Sequence, residues 1–347
     1  MEIISNPLQA HIMSVSSLNL FAQSPALYRE HILNPQQVET SYFSKGSAVD
    51  CLITEPDKFD QQFAIIKTDK PSGMMGDLCK YMYDYMQVNT DNLPEETLFK
   101  LAYQKAGFKL KEETVLKQYQ APKVQQYMNF LKESKGKTVI SQADHEQVLN
   151  VVSKLQNTEE TKFYMKDCVH NPLIDVYDQL YIEFEYADVL CKGTLDRLIV
   201  DHANKRIIPL DLKTTSKSVL EFRNSFIKYG YFRQAAFYTE ALRQWSKRTP
   251  SSENGPKNDI SSYQFESFKF VVAEMDCVHD PVVYGCSIRD INIATHGGQL
   301  KSGEYVKGFA ELLEELKWHR RTDKWFTNYD NAKSYESENC VVLDVFK

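Results

Sequence analysis

Two aspartates and a lysine lie close together in the runs GTLDR (193–197) and IIPLDLKTT (207–215). On a β-strand, successive side chains point to opposite faces. Asp211 and Lys213 therefore share a face, while Leu212 turns into the core. A hairpin would bring Asp196 beside Asp211. Two carboxylates and an ammonium then converge at one end of a sheet. That set suits phosphodiester hydrolysis assisted by a hard divalent cation, because Mg²⁺ takes oxygen ligands and is usually held by one or two carboxylates plus water and phosphate. Such a cation polarises the phosphoryl oxygen and makes bound water acidic. A nearby ammonium can orient that water and stabilise the developing charge. The ordinary alternative is an exposed cross-strand ion pair worth ~0.2–1 kcal/mol. The apolar flanks of IIPLDL argue against it, since charges buried with this strand are costly without a purpose.

The elements that must position these groups are legible from hydrophobic periodicity. Residues 179–215 alternate like β-structure and predict strands over 180–187, 190–200 and 206–214, with the turn Asp201–Lys205 between the last two. Strands are also expected over 266–274 and 281–288. Helices are expected over 15–34, with Ser16 or Ser17 as N-cap and a second turn starting at Ser24-Pro25, and over 45–54, 77–135, 142–168, 218–247 and 304–326. Thr249–Ile260 reads as a surface loop. The order, helical then mixed, predicts a single α/β domain over 1–347. Its N-terminal part, 1–170, is mainly helical, and 171–347 carries the catalytic sheet and its flanking helices.

Composition narrows the chemistry. The chain has 347 residues, 42% hydrophobic and 25% charged, which is ordinary for a folded protein. No apolar run approaches the ~18 residues of a membrane span, and the first ten residues show no secretory pattern. Seven scattered cysteines without C-x-x-C argue against disulfide scaffolds, zinc ribbons and four-cysteine clusters, and fit a reducing cytoplasm. There is no G-x-x-x-x-G-K-[ST], no G-x-S-x-G and no H-E-x-x-H. His319-Arg320-Arg321 near a helix end fits either dipole complementarity or contact with DNA. The net charge is −6, yet residues 100–137 hold nine Lys against three Glu, and residues 213–248 hold eight Lys or Arg against two Glu. Basic segments in an acidic chain suit a groove that attracts phosphate. In 213–248 the cations interleave with Phe222, Phe226, Tyr229, Tyr231 and Phe232, a texture compatible with base stacking as well as with core packing.

Together these motifs resemble the PD-(D/E)xK nuclease superfamily, RecB-type branch. After the D-x-K-T-T run that branch carries Q-x-x-x-Y on a helix. Here Gln234 and Tyr238 stand at i and i+4 in YFRQAAFYTEAL. Before the sheet it carries a helix ending in a histidine. Here the run KGSAVD (45–50) ends in Asp50, a departure that would bear on metal preference. The stretches around Ser17-Leu18, Gly46 to Phe59, FKFVVAEMD and Trp325 to Tyr329 are similar to the phage and prophage exonuclease family that includes exodeoxyribonuclease VIII. The match covers roughly 15–66 and 180–330.

The resemblance implies a restriction-endonuclease-like core, a central mixed sheet flanked by helices. It implies Asp50, Asp196, Asp211 and the Leu212 carbonyl as ligands of Mg²⁺, with Mn²⁺ able to substitute, and Lys213 as the catalytic lysine. A further catalytic glutamate is Glu183 or Glu185, with Glu183 preferred. Gln234 and Tyr238 would support the site or touch nucleic acid, and Lys45 and Arg233 are candidate phosphate contacts. The implied activity is exonucleolytic attack on double-stranded DNA ends for recombination or repair. A single-strand annealing protein as partner, a homo-oligomeric ring and a bacterial host cytoplasm belong to the same expectation. An endonuclease on the same core, and a catalytically silent nucleic-acid-binding protein, remain the alternatives.

Overall fold

Three long strands realise the alternation of the central region. The computed structural model describes residues 6–35, 41–66, 70–88, 92–252 and 254–341. These divide into two compact units, one formed by 1–38 with 151–347 and the other by 39–150. The segment 39–150 closes a hydrophobic core of its own.

The first unit holds helices α1 (Val15–Gln23), α2 (Pro25–Leu33) and α3 (Glu159–Met165). Strands β1 (Ile174–Tyr186), β2 (Val189–Asp201) and β3 (Arg206–Thr215) follow. Then come α4 (Phe222–Lys228), α5 (Tyr231–Trp245), β4 (Lys269–Glu274), β5 (Val282–Gly285), α6 (Ile288–His296) and α7 (Phe309–Thr322). The strands form one mixed sheet in the order β1-β2-β3-β4-β5. Neighbours are antiparallel except β3 and β4, which run parallel. A parallel pair needs a crossover, and α4 and α5 supply it.

One face of the sheet packs on α5. Its nine buried side chains include Phe232, Phe237, Leu242 and Trp245. Full burial of side chains of this size contributes ~1.5–3 kcal/mol each. Phe237 meets Phe184 of β1 edge to face at 4.8 Å, and Trp245 meets Tyr177 at 5.1 Å. Arg197 turns to the opposite face. It is 1% exposed, holds both carboxylate oxygens of Asp178 at 2.6 and 3.0 Å, and donates to the Tyr164 carbonyl of α3 at 2.8 Å. It locks α3 to the sheet.

The second unit has helices Ser41–Thr54, Gly73–Gln87, Glu95–Ala106, Glu112–Tyr119 and Pro122–Glu133, and a parallel pair of short strands, Phe63–Ile66 with Thr138–Ser141. Its core gathers Leu78, Met82, Phe99, Val115, Met128 and Leu131.

Differences from the expected elements have local causes. Left-handed Gly107 (φ 72°) ends one helix of the 77–135 run, and Pro122 opens another. Left-handed Gly230 (φ 69°) divides 218–247 into α4 and α5. The N-cap of α1 is Ser14, in a reciprocal capping box with Ser17, while Ser24 caps α2 and Pro25 follows at its first position. The end of the expected 281–288 strand instead opens α6, which is capped by Ser287. His319 is fully buried in α7, stacked 5.5 Å from Trp325, so it is a core residue rather than a surface contact. No helix among the described residues is long and apolar enough to cross a membrane.

Candidate active site

The antiparallel ladder between β2 and β3 runs from Asp201 opposite Arg206 to Arg197 opposite Leu210. One step further, Asp196 stands beside Asp211, and there the strands part. The Leu212 N–H, which would have continued the ladder, donates instead to Asp196 Oδ2 at 2.8 Å. In a strand the N–H and C=O of one residue point the same way. The Leu212 carbonyl therefore opens toward Asp196 as well.

Asp211 is 1% exposed. Its Oδ2 pairs with Lys213 Nζ, and its Oδ1 accepts from Gln234 Nε2 of α5 at 2.6 Å. Lys213 Nζ also lies 5.1 Å from the centroid of the Tyr231 ring. Burial by itself pushes the Lys213 ammonium toward losing its proton. Asp211 and then Asp196 outweigh that, and the net shift is upward. Lys213 is thus a fixed cation here and not a base at neutral pH.

Helix α5 supplies the support. Tyr231, Gln234 and Tyr238 follow at i, i+3 and i+7, one face of the helix. Tyr238 is 9% exposed, and burial, then Asp211 and Asp196, raise its hydroxyl pKa, keeping it protonated. Its ring lies on Gly193 of β2, where any Cβ would overlap it. That is why a glycine occupies this strand position. Tyr231 is the supporting residue for which the sequence assigned no place in the site. Its signal was present, three residues before Gln234 on the same helical face.

Gln179 of β1 stands across from Asp196. It is left-handed (φ 48°) in the middle of a strand, and the ladder skips this pair. The kink resets the alternation, so that Tyr177 and Leu198 on one side, and Leu180 and Leu195 on the other, all turn to the same core. Nothing in the sequence marks it. A non-glycine residue at positive φ costs of order 1–3 kcal/mol, and such strain clusters at functional sites.

Glu183, Glu185 and Arg233, in the same unit, are engaged elsewhere than at this cluster. Glu183 is exposed, on the face opposite Ile182 and Phe184. It accepts from the Tyr181 hydroxyl at 2.6 Å, and its carbonyl is held by Arg248. It pairs with Lys192 in the ladder, four residues along β1 from Gln179. Glu185 is exposed on the same face. Arg233 donates to the Lys307 carbonyl at 3.0 Å and to Asn19 Oδ1 at 2.7 Å, and burial pushes its pKa down to about 10. It is a structural tie between α5 and α1 and not a free phosphate contact. Lys45 and Asp50 belong to the second unit. There Lys45 pairs with Asp144 at 3.3 Å and with Gln147 at 2.9 Å, and the Asp50 carbonyl accepts from Thr54 at 2.8 Å.

The donor set can be tested against the implied cation. Among the described residues no group of three His, Cys, Asp or Glu side chains converges as a metal cluster. Two carboxylates and an outward carbonyl do converge, at the opening between β2 and β3. That is an all-oxygen set, whose chemistry would suit a hard cation such as Mg²⁺ or Mn²⁺ rather than zinc.

No protein-family model matches the chain. No curated protein matches it either. Among solved structures, the crystal structure of a "Putative exonuclease" from Eubacterium rectale is similar at 14% identity with a TM-score of 0.43, covering 93% of this chain and 84% of that one. A likeness at that level carries no argument about chemistry.

Proposed function

We propose that the protein is a Mg²⁺-dependent deoxyribonuclease of the PD-(D/E)xK type, built on a restriction-endonuclease-like core, and that it acts as an exonuclease on double-stranded DNA ends. One observation carries the reading. Asp196, Asp211 and Lys213 meet where the β2–β3 ladder opens, with Gln234 fastened to Asp211. A surface ion pair would not need an amide from a helix in the core to hold one oxygen of a 1%-exposed carboxylate.

In this reading Asp196, Asp211 and the Leu212 carbonyl hold the cation, which when bound supplies Lewis acidity toward the phosphodiester. Lys213 contributes a permanent positive charge where negative charge develops. Gln234 fixes the Asp211 carboxylate, and Tyr231 and Tyr238 wall the site. DNA ends as substrate, oligomeric rings and an annealing partner rest on the motif resemblance.

The test is incubation with linear and circular duplex DNA, in Mg²⁺ and in EDTA. Loss of linear DNA alone, in Mg²⁺ alone, is the expected result. Nicked circles would transfer the reading to an endonuclease. Binding without any hydrolysis would leave a silent binder on the same fold.

A further inference from the structure

A cavity of about 810 Å³ opens in the first unit between α4, β5 and α6. Phe222, Phe232 and Phe270 form its floor, with half-buried Phe226 and Tyr284 among its walls. Arg223, Arg289 and Lys301 stand on its rim, exposed, and none of the three has an ion-pair partner among the described residues. The one lining carboxylate, Asp290, is already engaged by the N–H and hydroxyl of Ser287 at 2.8 and 2.7 Å. An aromatic trough with an uncompensated cationic rim is unusual on a chain of net charge −6.

The trough adjoins the candidate active site through shared side chains. Phe222 stacks on Tyr231 with centroids 5.7 Å apart and planes 17° apart, and Lys213 lies over the same tyrosine. Phe270, in the floor, is the ladder partner of Asp211. One ring therefore separates the trough from the lysine.

We propose that this trough binds a separated single strand of DNA, its bases against Phe226 and Tyr284 and its phosphates on Arg223, Arg289 and Lys301, and leads that strand to Lys213. The inference rests on the nuclease reading of the site and adds the form in which the substrate reaches it. Duplex DNA is a poor fit, because its bases are stacked inside and cannot meet an aromatic wall. Single strands expose every base face, and stacking is sequence-tolerant.

The test measures binding of a fluorescein-labelled oligothymidylate by anisotropy in EDTA, across a salt series. The combined variant Arg223→Ala, Arg289→Ala, Lys301→Ala is expected to bind at least about tenfold more weakly. Its log–log salt slope should be shallower by about 2, as three lost phosphate contacts require for a single strand. Phe226→Leu, which keeps volume and removes the ring, should weaken binding with the slope unchanged. Circular dichroism melts confirm that both variants fold. Unchanged affinity in both variants overturns the proposal. So does a change of oligomeric mass in the combined variant, which would make the trough an interface between copies. The two readings separate cleanly. Wild-type hydrolysis of linear DNA with trough-independent oligonucleotide binding sinks the trough alone. Trough-dependent binding with no hydrolysis sinks the nuclease alone.

Discussion

The Leu212 N–H donates to Asp196 Oδ2 at 2.8 Å, a side chain taking the place of the next rung of the β2–β3 ladder. That substitution separates the strands at the point where two carboxylates and a lysine meet. The candidate site is thus an interruption in backbone pairing, stabilised by one of its own acids.

Lys213→Ala should lower DNA hydrolysis by at least ~100-fold, the scale of removing one electrostatic stabiliser from a transition state. DNA binding in EDTA should persist. A variant hydrolysing at the wild-type rate removes Lys213 from the mechanism.

Gln234→Leu should leave Asp211 Oδ1 buried without its donor. The expected cost is ~1–3 kcal/mol of stability, with activity reduced because the carboxylate is free to rotate. Urea denaturation together with the nuclease assay reads both effects. Unaltered stability and activity would show that the hydrogen bond does neither task.

Gly193→Ala places a Cβ against the Tyr238 ring. Overpacking of this kind costs ~1–3 kcal/mol. Tyr238→Ala, in the same chain, should recover much of that loss, so the two substitutions couple in a double-mutant cycle. Additive losses would place the clash elsewhere.

Glu274 gives the expected pH dependence. It is 4% exposed. Burial opposes its ionisation, yet N–H groups of His279 and Val219 and the His279 ring outweigh burial and bring its pKa to about 2. Its folded pKa is therefore below its unfolded value. The stability it contributes is complete above the ordinary glutamate pKa and is lost as pH falls through about 2. Chemical denaturation from pH 6 to pH 2 should show the gap between wild type and Glu274→Gln closing as the solution is acidified. A gap that stays constant with pH would show that the carboxylate charge contributes nothing.

Arg197→Met should destabilise the first unit strongly, by ~3–5 kcal/mol, because Asp178 would lose the partner of both its oxygens. Replacing Asp178 and Arg197 together by apolar residues should cost less than the single change. Thermal melts of the three variants decide it.

The amino-acid sequence by itself determined the three central strands, the shared face of Asp211 and Lys213 and the helical pairing of Gln234 with Tyr238. Each of these depends on a period of two or of 3.6 residues acting over a short stretch, which is local information. The tertiary structure decided the rest. The left-handed Gln179, the halt of the β2–β3 ladder at Arg197, and the exposed setting of Glu183 follow from how strands meet, which no spacing within one strand records. The separate core of 39–150 and the unpaired cations around the aromatic trough are likewise products of packing between segments distant in the chain. Their energies come from contacts that exist only after the chain has closed.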